Sequence, residues 1–155
     1  VVRGTAPAPY RRGLLALREG ALLEAALRAL PERPELLVVN ATGRDHPRGA
    51  GLALQLGARL GVPSMGVTHR PLLATGDPPG DERGATSPLH LRGEVVGYRV
   101  RTRRGTHPLV AHAGWRCGPE EAVELLLRLC GRWRTPFPLR LARQAARQAR
   151  ADDAS

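Results

Sequence analysis

Two short apolar runs, separated by a turn and a helical stretch, constrain this chain more than any other feature. Leu36-Leu37-Val38-Val39, between Glu35 and Asn40, reads as a strand buried on both faces. Met65-Gly66-Val67-Thr68 reads as a second. Between them lie a polar loop, Ala41 to Arg48, and a helix over Gly51 to Leu60 ended by Gly61-Val62-Pro63. Upstream, the Leu- and Ala-rich stretch Gly13 to Leu30 is helical and stops at Pro31 and Pro34. Strands alternating with helices imply an α/β layer architecture.

The remainder extends that pattern. Thr75 to Ser87, full of Gly, Pro and Asp, reads as a mobile loop. Glu94 to Arg103 and Pro108 to Ala113 read as two strands joined at Arg104-Gly105-Thr106. Gly118-Pro119 opens a helix whose first turn carries Glu120 and Glu121, complementing its dipole, and Gly131 closes it after Cys130. Leu139 to Arg150 is a last, Arg-rich helix, and residues 151–155 read as a disordered tail. The expectation is one domain over residues 1–150: a small mixed sheet of about four strands with helices on its faces.

Composition narrows the partners. The 155 residues carry a net charge of +10, and all 24 basic residues are Arg. Absence of Lys and Ile, with Asn40 the sole Asn, fits a GC-rich genome. The surplus of base over acid does not follow from codon usage, and it favours polyanionic partners. No apolar run approaches the ~18 residues a membrane helix needs, so no membrane partner is expected. No signal-peptide pattern precedes Pro9, which points to the cytoplasm. Cys117 and Cys130 lack metal-ligand spacing and read as buried thiols.

Three segments carry candidate chemistry. Pro9-Tyr10-Arg11-Arg12-Gly13 puts an aromatic ring on a stiff turn beside two cations, followed by Arg18-Glu19. Such a turn can stack where a base has been withdrawn, while Arg11 and Arg12 bind phosphates; a helix-entry turn with a buried Tyr is the alternative. His46-Pro47-Arg48 follows the first strand in a loop beginning Asn40-Ala41-Thr42-Gly43, and loops at the carboxyl ends of strands are where α/β proteins build sites. Read alone, His46 is more often a surface residue and Glu19 a solvated helix side chain. The third segment is Pro108-Leu109-Val110-Ala111-His112-Ala113-Gly114-Trp115.

Together, in this order and spacing, these segments resemble endonuclease V, the nuclease family that cuts nucleic acid beside deaminated adenine. The family pattern is Pro-Tyr-x-Pro-Gly then Phe-Arg-Glu, next Asp-Gly-x-Gly and His-Pro-Arg, then Pro-Thr-Ile-Gly-Val-Ala-Lys, and a late strand ending in Gly-His. The resemblance runs from Val1 to about Leu129. It implies an RNase H-like mixed central sheet flanked by helices, with the first strand or strands missing, since Val1-Val2-Arg3-Gly4 resembles the tail of a strand. It implies an Mg²⁺-dependent endonuclease acting as a monomer on DNA or RNA containing inosine. The residues it assigns are Glu19 and Asn40 at the metal, His46 and His69 in catalysis, and Pro9, Tyr10, Arg11, Arg12, Gly13, Gly43, His46 and Arg48 against nucleic acid.

Several positions depart from the family pattern. Arg12 replaces a Pro and Leu17 a Phe. Asn40 stands where the family has its second essential Asp, and the strand bearing the first would precede Val1. His69 replaces a Lys, Trp115 the late His, and Gln55 a helix His, while Glu120 keeps an acidic position. Mg²⁺ prefers anionic oxygens, and Asn40 offers only a neutral carbonyl. Weakened metal binding is therefore expected. Three functions follow: an active endonuclease, a catalytically silent nucleic-acid-binding relative, or a decayed gene product whose sheet edge lies uncovered.

Overall fold

The computed structural model describes residues 1–7, 9, 11 and 14–153. Its elements run α1 (Leu15–Arg28), β1 (Leu37–Val39), α2 (Leu52–Leu60), β2 (Ser64–Thr68), β3 (Thr86–Leu91), β4 (Glu94–Val100), β5 (Leu109–His112), α3 (Pro119–Cys130) and α4 (Phe137–Asp153). The strands form one mixed sheet in the order β1-β2-β5-β4-β3. β1 and β2 are parallel, and the other pairings are antiparallel.

The pleat sorts side chains to two faces, because successive residues of a strand point to opposite sides. Met65, Val67, Leu109 and Ala111 meet Ala122, Leu126 and Cys130 of α3. On the other face, Leu37 packs with Leu52 and Leu56 of α2 and with Leu15, Leu23 and Leu27 of α1. Among the described residues no helix lies over β3 and β4 on that face; Ala74 from the loop after β2 covers Leu89, Val96 and Val110. That loop is therefore part of the core.

Among the described residues five strands are present where the sequence suggested about four. The additional one, β3, occupies the end of the segment read as a mobile loop and continues to Leu91. Its residues alternate exposed and buried, and Pro88 is tolerated because β3 lies at the sheet edge. The turn into β4 uses Arg92 and Gly93 with φ of 54° and 82°, the left-handed pair of a tight hairpin. Val1 to Gly4 form no strand. α4 continues to Asp153, three residues into the stretch read as a tail. No helix among the described residues is long and apolar enough to cross a membrane.

Leu126 is fully buried between α3 and the sheet. Leu126→Ala should cost about 2–5 kcal/mol, the range for a truncated core Leu, read as a lower urea midpoint with an unchanged slope.

Candidate nucleic-acid interface

A cavity of about 270 Å³ opens where the parallel strands β1 and β2 end. Asn40 follows β1, Thr68 closes β2, and both line it with Thr42 and His46. Leu15 and Ala16 of α1 and Leu72 supply apolar wall. The site thus has the position that open α/β sheets reserve for ligands, outside the carboxyl ends of strands.

Its shape depends on Asp45, which is fully buried. Its carboxylate accepts three backbone N–H groups: Leu72 at 2.6 Å on Oδ2, and Leu73 and Ala74 at 2.8 Å each on Oδ1. This clasp holds the loop after β2 against the loop after β1. His112, equally buried on β5, turns Nδ1 toward Asp45 Oδ2 at 3.9 Å and Nε2 toward Thr68 Oγ1 at 2.7 Å. Burial pushes its imidazole down to about 4, against an opposing pull from Asp45. At 3.9 Å the pair is too far apart for a hydrogen bond, so loss of hydration outweighs the attraction.

His46 is buried at the cavity wall, and its Nδ1 accepts the Arg48 backbone N–H at 3.2 Å. A neutral His46 therefore carries its proton on Nε2. Gly43 sits under this loop rather than at a surface. A Cβ there would lie 1.8 Å from the carbonyl oxygen of Ala113, so only glycine permits the approach. The Arg44 N–H donates to that same carbonyl at 2.9 Å, tying the loop to the end of β5.

The other candidates spread outward. Glu19 lies one helical turn beyond Ala16 on the same face of α1, half-exposed, with Arg18 Nε 3.7 Å from its carboxylate. It is not among the cavity-lining residues. His69 is exposed and meets Arg134, Nδ1 to Nη2 at 3.2 Å, instead of the cavity. Burial first, then Arg134 and Arg143, lowers its pKa. Pro9, Arg11 and Arg48 are exposed, whereas Tyr10, Arg12 and Gly13 lie outside the described residues. Glu120 is exposed and accepts the Tyr98 hydroxyl at 2.9 Å, which raises the Tyr98 pKa. Gln55 caps the Ala50 carbonyl at 2.7 Å, and the Trp115 backbone N–H donates to Ser64 Oγ at 3.0 Å.

The described residues bring together no group of three His, Cys, Asp or Glu side chains that could hold a metal ion. Asn40 is neutral, so the donors that the described residues offer do not fit Mg²⁺ well. Sequence reasoning passed over Thr42, Asp45, Thr68, Arg70 and His112. A titratable residue inside the wholly buried strand Leu109–His112 was the available signal. Its partners, 67 and 44 residues away, had none.

A mixed sheet with helices on both faces and a loop-built cavity beyond its parallel pair places the chain in the RNase H-like fold class. Comparison with known proteins makes this specific. The family model for endonuclease V matches residues 1–144. Endonuclease V of Methanopyrus kandleri is 48% identical over 144 residues, covering 92% of this chain and 61% of that protein. The crystal structure of endonuclease V from Streptomyces avermitilis superposes with a TM-score of 0.87 at 37% identity, over 95% of this chain and 64% of that one. The chain belongs to the endonuclease V family and spans about three fifths of the curated relative's length. The fold extends to Ciona intestinalis endonuclease V, TM-score 0.79 at 20% identity over 95% of this chain and 69% of that one, whose crystal holds a 24mer DNA containing an inosine.

Because the folded His112 resists protonation, the folded state binds fewer protons than the unfolded chain between pH 6.5 and about 4. The His112 contribution to stability is complete above pH 6.5 and is lost as the pH falls toward 4. Urea melts across this window should show the parent losing more stability than His112→Gln.

Proposed function

We propose that this chain acts on DNA or RNA containing inosine, admits the extruded hypoxanthine to the cavity, and hydrolyses a phosphodiester nearby. One observation carries the reading: the cavity beyond β1 and β2 pairs apolar wall, suited to a ring face, with Asn40, Thr42, His46 and Thr68, suited to a ring edge. The chain belongs to the endonuclease V family, whose Ciona intestinalis member was crystallised with inosine-containing DNA. Arg11, Arg48 and Arg70 are exposed cations available to phosphates, and the net charge of +10 favours that contact. His46 Nε2–H serves as a donor at the cavity wall. In the same reading Tyr10, with Pro9, Arg12 and Gly13, is the wedge beside the lesion, and the protein works as a cytoplasmic monomer.

Mg²⁺ belongs to the proposal as the family's cofactor, with Glu19 and Asn40 as the residues that would hold it; it would stabilise charge on the phosphate. These residues fit it poorly. That misfit also supports a second reading, a relative that recognises the lesion without cutting. His69, turned toward Arg134, is the weakest of the proposed catalytic residues.

Asn40→Asp separates the two readings, since it returns an anionic oxygen to the cavity. With Mg²⁺ and an inosine-containing oligonucleotide, the variant should nick at least about tenfold faster than the parent. Equal nicking by both would remove Asn40 from the metal's position. Selective binding with no nicking by either protein would establish the second reading, and binding that ignores inosine would sink both.

A further inference from the structure

Among the described residues, Thr68 is the one cavity-lining hydroxyl in contact with the buried Asp45–His112 arrangement. Its Oγ1 lies 2.7 Å from His112 Nε2 and 2.8 Å from the carbonyl oxygen of Arg70. A threonine hydroxyl has one proton and two lone pairs. If His112 carries its proton on Nε2, it donates to Thr68, and the Thr68 proton goes to the Arg70 carbonyl. If the proton is on Nδ1, facing the Asp45 carboxylate, Nε2 is an acceptor and takes the Thr68 proton itself. In both tautomers the hydroxyl proton is committed inside the protein. What remains for the cavity is a lone pair.

We infer that Thr68 is a specificity-determining residue, a one-way hydrogen-bond filter that accepts from the ligand and cannot donate to it. The inference rests on the inosine reading and deepens it. Deamination of adenine replaces the 6-amino group by a carbonyl and converts ring N1 from a bare acceptor into an N–H donor. A ring edge bearing N–H satisfies the Thr68 lone pair, whereas a bare ring nitrogen meets it lone pair to lone pair. A site built to pair with a ligand N–H discriminates strongly against an analogue that lacks it, because its own buried polar atom is then stranded. Burial of His112 serves the filter, since neither tautomer of the neutral ring frees the Thr68 proton.

Asp45 and His112 act through Thr68 and are positioning residues. The Asp45 clasp on Leu72, Leu73 and Ala74 fixes the same loop whose Arg70 carbonyl competes for the proton. The hydroxyl is thus held between two elements that Asp45 itself locks together.

The test is equilibrium binding, by fluorescence anisotropy, of the 155-residue chain to matched single-stranded oligonucleotides carrying one inosine or one adenosine. The parent should favour inosine by about 5- to 100-fold, the range of one well-placed polar contact. Thr68→Val keeps the shape and deletes the hydroxyl, so that ratio should fall toward one, while Thr68→Ser should retain it. Should Thr68→Val fold poorly, Thr68→Ala leaves room for a water, which can donate or accept and so should also flatten the ratio. A parent that prefers inosine together with a folded Thr68→Val or Thr68→Ala that keeps the full preference overturns the filter alone. A parent indifferent to inosine overturns the reading of function and the filter with it.

Discussion

A carboxylate with no exposure to solvent is tolerable only if the fold supplies the hydrogen bonds that water gave up. Asp45 meets that condition by taking three consecutive backbone donors from residues 72–74. The consequence is architectural. The loop after β2 has no helix to support it, yet it carries Ala74 into the core over β3 and β4 and Leu72 into the cavity wall. Both placements depend on one side chain from the loop after β1. The same carboxylate faces His112, and through it the chain from Asp45 to Thr68 crosses from core to cavity without reaching solvent.

Charge is distributed accordingly. The cavity is lined by the polar groups of Asn40, Thr42, Thr68 and a His46 whose Nδ1 accepts a backbone N–H. Arg70 lines it too but is exposed, and Arg48 is exposed on the loop after β1. Beyond them, the helix α4 carries Arg140, Arg143 and Arg147 along one face, and Arg134, just before it, meets His69. Arg140 also lies 4.9 Å from the Trp133 ring centre, which orients the guanidinium by stacking. In the proposed function, a polar recess flanked by exposed cations would divide the tasks of nucleic-acid recognition: phosphates held by charge, a base read by hydrogen-bond polarity.

The elements most legible in the sequence are those whose local signals agree. α3 begins at Pro119 and ends at Cys130 as Gly118-Pro119 and Gly131 dictate, and α2 ends at Leu60 before a left-handed Gly61. β3 was hidden because Pro88 and the preceding Gly- and Pro-rich stretch argue locally for loop, while its pairing with β4 is made through the hairpin at Arg92-Gly93. In the site, His46 and Asn40 were legible from their place after an apolar strand. Gly43 was read from the resemblance as a nucleic-acid contact, and its burial beneath Ala113 could be seen only with β5 in place.

Local chemistry along the chain, meaning apolar runs, caps, turn residues and ordered motifs, was enough to establish an α/β protein of the endonuclease V type with a loop site after its first described strand. Which polar groups meet inside was decided by tertiary structure alone. Asp45, Thr68 and His112 lie on three separate segments, and nothing in the spacing of residues 45, 68 and 112 encodes their contact. They become partners because strand pairing places β5 beside β2 and the pleat turns Thr68 and His112 to the same face, where a buried charge must find donors or not be buried at all.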